Sequence, residues 1–204
     1  MSEPPPHFTQ ELYTPDQLRA AWDAWTDRHT HFDAIQRSRM WHQIGPGGSV
    51  QLGAHSIEVF DADLRPGFLP GGGYTEADTV RHGPGDLLYQ AICEPCRWHT
   101  FGTEPEVVEA WHDHAAPGWR HLPVIPAEVR SGIQMGKPSK AAMTWIEEHY
   151  PSEWQQPGHP IITARTRPGT RHVAGYSPWG GYDLSGTALL QASPHTTDEQ
   201  LVLF

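Results

Sequence analysis

Proline and glycine punctuate this chain so densely that long regular elements have almost no room: 20 of each are spread over 204 residues. Proline fixes φ and removes a backbone donor, and glycine weakens helix and strand interiors, so the elements should be short and joined by many turns. Nine tryptophans and a hydrophobic fraction of 37%, against 19% charged residues, supply the material for a packed core. The expectation is an α+β fold, a small loop-rich mixed domain with short strands and about three helices.

Residues 1–12 read as a proline-rich arm without fixed structure, 13–190 as a single α+β domain, and 191–204 as a flexible tail. Thr14-Pro15-Asp16-Gln17 signals a helix start, with Thr14 as N-cap, Pro15 at the first helical position and Gln17 closing a capping box. Tyr13 and Leu18 are placed for a hydrophobic staple, and Leu18, Ala21, Trp22 and Trp25 recur at helical spacing. Val50–Leu52 and Ile57–Phe60 are candidate strands, and Leu87–Ile92 is a third that runs into Cys93. The Gly71-Gly72-Gly73 stretch lacks the lysine and following helix of a phosphate-binding loop and is read as a flexible loop. Thr103 and Glu106 form a second capping box, opening a helix that carries Val107, Ala110 and Trp111 and stops near Ala116. A third helix should run from Ser139 to Tyr150 and bury Ala142, Met143 and Ile146. Ile161–Leu190 reads as irregular β structure.

The two cysteines form one CxxC pair, Cys93-Glu94-Pro95-Cys96, and His112-Asp113-His114 follows after the second predicted helix. A strand leading into a CxxC turn and then a helix bearing histidine is a zinc-finger-like order, spanning about residues 86–123. Zinc accepts thiolates and imidazoles in one tetrahedron, which points to Cys93, Cys96, His112 and His114 as its ligands and to a structural site. The spacing sets a condition on this assignment. Residues i and i+2 diverge by about 200° on a regular helix, so both histidines reach one ion only if the helix end frays or tightens; otherwise His99 or Asp113 takes the place of one. A free reduced pair and a redox-active pair are the other uses of such cysteines. His159, His172 and Asp183 form a second, weaker constellation, and no catalytic residue is assigned.

The net charge of −10 argues against a broad basic surface for duplex DNA. The three arginines between Arg165 and Arg171 are either a solvated hairpin or a local phosphate contact. The chain opens Met-Ser-Glu-Pro-Pro-Pro, with no basic and apolar leader, and holds no apolar run of membrane-spanning length. The expectation is a soluble cytoplasmic protein of a bacterial host cell, with no membrane partner.

The residues Gln200-Leu201-Val202-Leu203-Phe204 resemble the pentapeptide by which bacterial polymerases, mismatch-repair proteins and other replication factors bind the DNA polymerase sliding clamp. Leu203 and Phe204 suit a preformed apolar pocket, Leu201 a shallower neighbouring site, and Gln200 a hydrogen bond at the rim, with Val202 permissive. Burying each of the three apolar side chains yields roughly 1.5 to 3 kcal/mol before ordering costs. The elements from Asp86 to Pro123, together with Ser177-Pro178-Trp179-Gly180-Gly181-Tyr182-Asp183, resemble a family of uncharacterised proteins from actinobacteria and their phages. That resemblance implies a phage or mobile-element source and no particular activity.

The function expected is therefore a DNA-replication-associated adaptor or modulator that binds the clamp (its beta subunit) through Gln200, Leu201, Leu203 and Phe204 and associates with DNA indirectly. One alternative is a metal-dependent nuclease delivered by the clamp. The other is a zinc-stabilised protein-protein interaction domain whose tail docks on itself.

Overall fold

The computed structural model describes residues 8–28, 40–43, 49–64, 87–164 and 172–185. Helix α1 (Pro15–Arg28) starts where the sequence places it. Thr14 N donates to Gln17 Oε1 at 2.9 Å and Gln17 N donates to Thr14 Oγ1 at 3.2 Å, so two orphan amides at the helix start are satisfied reciprocally. Leu18 and Ala21 are buried, while Trp22 and Trp25 remain half-buried.

The main sheet is antiparallel and holds β1 (His42–Gln43), β2 (Val50–Leu52), β3 (His55–Asp63), β4 (Leu87–Cys93) and β5 (Trp98–Gly102). Its order is β1-β3-β4-β5, with β2 also pairing β3. Central β4 is buried along almost its whole length because both faces of the sheet are covered. Tyr89, Ala91 and Cys93 point to the larger core, shared with helix α2 (Glu104–Ala115). Leu88 and Ile92 point to the smaller one, which Leu18 of α1, Trp41, Phe60 and Leu64 complete. Arg19 ties α1 to the sheet by an ion pair with Glu58 of β3. Residues 8–12, assigned by sequence to the unstructured arm, lie against this second face: Phe8 tilts onto Trp41, whose indole donates to Thr9 O at 2.7 Å.

Helix α2 begins as expected, with the Glu106 carboxylate accepting from both Thr103 N and its hydroxyl, at 2.8 and 2.7 Å. These bonds hold the Glu106 carboxyl below its ordinary range. Beyond α2 come β6 (Val124–Ile125), a one-turn helix α3 (Ala127–Arg130), the hairpin β7 (Ile133–Gln134) and β8 (Lys137–Pro138), and helix α4 (Lys140–His149). The described residues thus contain four helices: the three expected long ones and the single turn of α3. Ser139 caps α4 by accepting from Ala142 N, and Ala142 and Ile146 enter the core while Met143 is half-buried.

The segment expected to be irregular β structure contributes a second, parallel sheet, β9 (Ile161–Thr163) between β6 and β10 (Asp183–Ser185). Tyr150 joins these strands, donating to Pro123 O at 2.7 Å and accepting from Ile162 N at 3.0 Å. Gly158, at φ 83°, packs directly on the Gln51 carbonyl, where a Cβ would have no space. No helix among the described residues is long and apolar enough to cross a membrane.

Candidate metal centre

Strand β4 delivers Cys93 to the edge of the larger core, fully buried, and the chain then makes one 3-10 turn through Glu94–Cys96. Arg97 reverses the backbone in the left-handed region, φ 51°, and its amide closes the turn on Glu94 O at 3.0 Å. Cys96 is thereby brought beside Cys93 but on the solvent side. The β3–β4 ladder pairs Glu58 with Ile92 and Val59 with Ala91. Followed towards its tip, this register sets His55, the first residue of β3 after the Gly53-Ala54 turn, level with the cysteine turn. Its Nδ1 lies 3.2 Å from Cys96 Sγ and 3.8 Å from Cys93 Sγ.

The last turn of α2 supplies the fourth group. His114 meets His55 edge to face, with centroids 4.9 Å apart, and its Nε2 is buried without a hydrogen-bond partner. One ligand atom from each of His55, Cys93, Cys96 and His114 lies within 4.8 Å of the others, so the four could hold a metal ion. A buried imidazole nitrogen with no partner, on a ring grouped with two sulfurs, is what a cation would satisfy. The ionisation of the cluster fits this. Burial, and then the charge of His55, push His114 below its ordinary value and favour the neutral imidazole that a metal requires. The hydrogen bond with Cys93, burial and the Cys93 charge raise the Cys96 thiol, a repulsion that a bound cation would reverse.

The expected ligand His112 is not part of the cluster, and His55 stands in its place. His112 is fully buried on a different side of α2, where Nδ1 donates to Val108 O at 2.8 Å and the ring packs on Trp111, Trp119 and Tyr182. Burial pushes its pKa down to about 4, keeping it neutral. Helix α2 stays regular to Ala115, so neighbours two apart point to different places and only one of the pair reaches the cysteines. Neither proposed substitute joins the site. His99 donates to Gln10 O at 3.2 Å, and the Asp113 carboxylate accepts from Trp119 and Arg120. The signal for His55 was the two-residue turn ahead of it, which makes it a hairpin-tip residue, but the register that carries it to the cysteines is a tertiary fact.

One family model, described as a family of unknown function (DUF6349), matches residues 4–194. The chain belongs to the DUF6349 family. No curated protein and no solved structure matches it. The matched residues of this DUF6349 chain include all four donors.

The second constellation of this DUF6349 chain does not assemble as one group. His172 is buried with both nitrogens engaged: Nδ1 accepts from Ser185 N at 3.1 Å and Nε2 donates to Glu109 at 3.2 Å. Glu109 continues through Arg120 to Asp113. Asp183 instead accepts from Thr163 at 2.5 Å and lies 3.6 Å from Arg130, and His159 packs on the edge of Trp154. The Gly71-Gly72-Gly73 loop, Arg165 to Arg171 and the peptide Gln200–Phe204 lie outside the described residues.

Proposed function

We propose that this protein is a non-enzymatic adaptor of DNA replication, a domain stapled by zinc that docks on the bacterial sliding clamp through Gln200, Leu201, Leu203 and Phe204. The pentapeptide carries the clamp assignment, and a phage or mobile-element source fits it, because such elements engage host replication machinery. The net charge of −10 supports recruitment by protein contact over direct duplex binding. The peptide lies beyond the family-matched residues 4–194, which supports a docking role apart from the part of the chain that defines the family.

Two sulfurs and two imidazole nitrogens select a borderline cation and disfavour magnesium, calcium and manganese. Zinc bonds of about 2.0 to 2.3 Å place tetrahedral donors about 3.3 to 3.8 Å apart. The separations of His55 Nδ1 from the two sulfurs, 3.2 and 3.8 Å, straddle the spacing of such a shape, and all four donors lie within 4.8 Å of one another. Four protein donors close the coordination sphere, which supports a structural role over a nuclease that would need an open position for water.

Titration of the zinc-loaded protein against purified bacterial clamp tests the reading. Micromolar binding is expected for wild type. Leu203→Ala with Phe204→Ala should weaken it by about 3 kcal/mol or more, on the order of a hundredfold. Affinity unchanged by that double substitution, with a thermal melt like wild type, would reject clamp docking and leave the zinc staple standing.

A further inference from the structure

Resting on the zinc reading, we propose that the centre is a thiol switch: a peroxide-class oxidant joins Cys93 and Cys96 in an intramolecular disulfide and expels the metal ion. The two sulfurs of the site differ in access. Cys93 is fully buried, whereas Cys96 is exposed on the solvent side of the turn, so an oxidant meets Cys96 first. The cysteines are one 3-10 turn apart, with both sulfurs on the same nitrogen of His55, so the resolving thiolate stands next to the one attacked. Structural centres whose thiolates are all buried lack this asymmetry.

The chemistry balances in two steps. The Cys96 thiolate attacks one peroxide oxygen, the O–O bond breaks, and a sulfenic acid and hydroxide result. The Cys93 thiolate then attacks the Cys96 sulfur, displacing a second hydroxide and forming the disulfide; the two sulfurs have lost two electrons to the peroxide. Only His55 and His114 remain as donors, and two imidazoles hold zinc far more weakly than the full set. The metal link between the tip of β3 and the last turn of α2 is lost, while the cysteine turn itself stays closed by a covalent bond. A thiol reductant and zinc restore the original state.

The test treats the reduced, zinc-loaded full chain with hydrogen peroxide. Released zinc is followed with a chromophoric chelator, and the cysteine state by peptide mass mapping. The expected result is one zinc ion freed per Cys93–Cys96 disulfide formed, with recovery of bound zinc after dithiothreitol and zinc are added. Zinc retained under millimolar peroxide would overturn the switch while leaving the zinc staple intact. So would zinc lost through sulfinic or sulfonic acids, or through disulfides between chains. A reduced protein that holds no zinc at the outset would overturn the metal reading itself, and the switch with it.

Discussion

Trp98 lies flat on His114, the two rings 4.8 Å apart and within 2° of parallel. The stack sets the plane of the His114 imidazole, a member of the cluster whose Nε2 is buried without a hydrogen-bond partner, a task that outer-shell groups commonly perform for ligating histidines. Trp98→Ala frees the ring and should weaken metal binding by about tenfold or more, within the range typical of lost supporting groups. Trp98→Phe keeps a flat face and should recover most of it. A competition titration with a chelator measures both, and wild-type affinity in the alanine variant would show that the stack is idle.

The two histidines of α2 should separate cleanly. His55→Ala or His114→Ala removes a ligand, and elemental analysis should find the metal gone. His112→Ala should keep the full metal content yet lose about 3 kcal/mol through the cavity it opens beside Trp111 and Trp119. In a chain of this length that lowers Tm by about 6 to 12 °C. Metal lost from the His112 variant and kept by the His55 variant would reverse the ligand assignment.

Glu109 should make stability depend on acid. Burial alone would raise its pKa, but hydrogen bonds from His172 and Arg120, with the Arg120 charge, win and hold it below the ordinary 4.5. Because the folded value lies below the unfolded one, the unfolded chain binds the proton more readily. The stabilisation is complete above about pH 4.5 and disappears as pH falls through the folded pKa. Urea unfolding from pH 7 to 3 should show a shallower acid slope in Glu109→Gln, together with lower stability at pH 7. An identical slope would remove Glu109 from the account.

Tyr150→Phe should be costly although it deletes a single oxygen. The Pro123 carbonyl and the Ile162 amide both depend on that hydroxyl, and Ile162 is fully buried. Leaving two backbone groups unsatisfied costs about 2 to 3 kcal/mol, which a thermal melt would register as a fall of about 5 °C or more. A melt within 1 °C of wild type, to order of magnitude, would mean that water replaces the hydroxyl without loss.

The starts of α1, α2 and α4 were legible in the chain because a cap is a local device: Thr14 with Gln17, Thr103 with Glu106, and the Ser139 side chain with Ala142 each involve residues three apart. The cysteine turn was legible for the same reason, since strand, turn and CxxC are contiguous. The clamp-like peptide is likewise a property of the sequence alone. The parallel pairing of β6, β9 and β10 was hidden, because strands of two or three residues carry too little periodicity to name their partners.

Sequence by itself picked out Cys93 and Cys96 as a pair of candidate metal donors and expected both His112 and His114 beside them, on the condition that the helix end frays or tightens. Only the tertiary structure decided that His114 turns inward to the cysteines and that the remaining donor is His55. The physical reason is distance along the chain. A hydrophobic pattern tells a strand which face to bury, but the register that brings the tip of β3 against the turn after β4 is settled by packing of the whole sheet between α1 and α2.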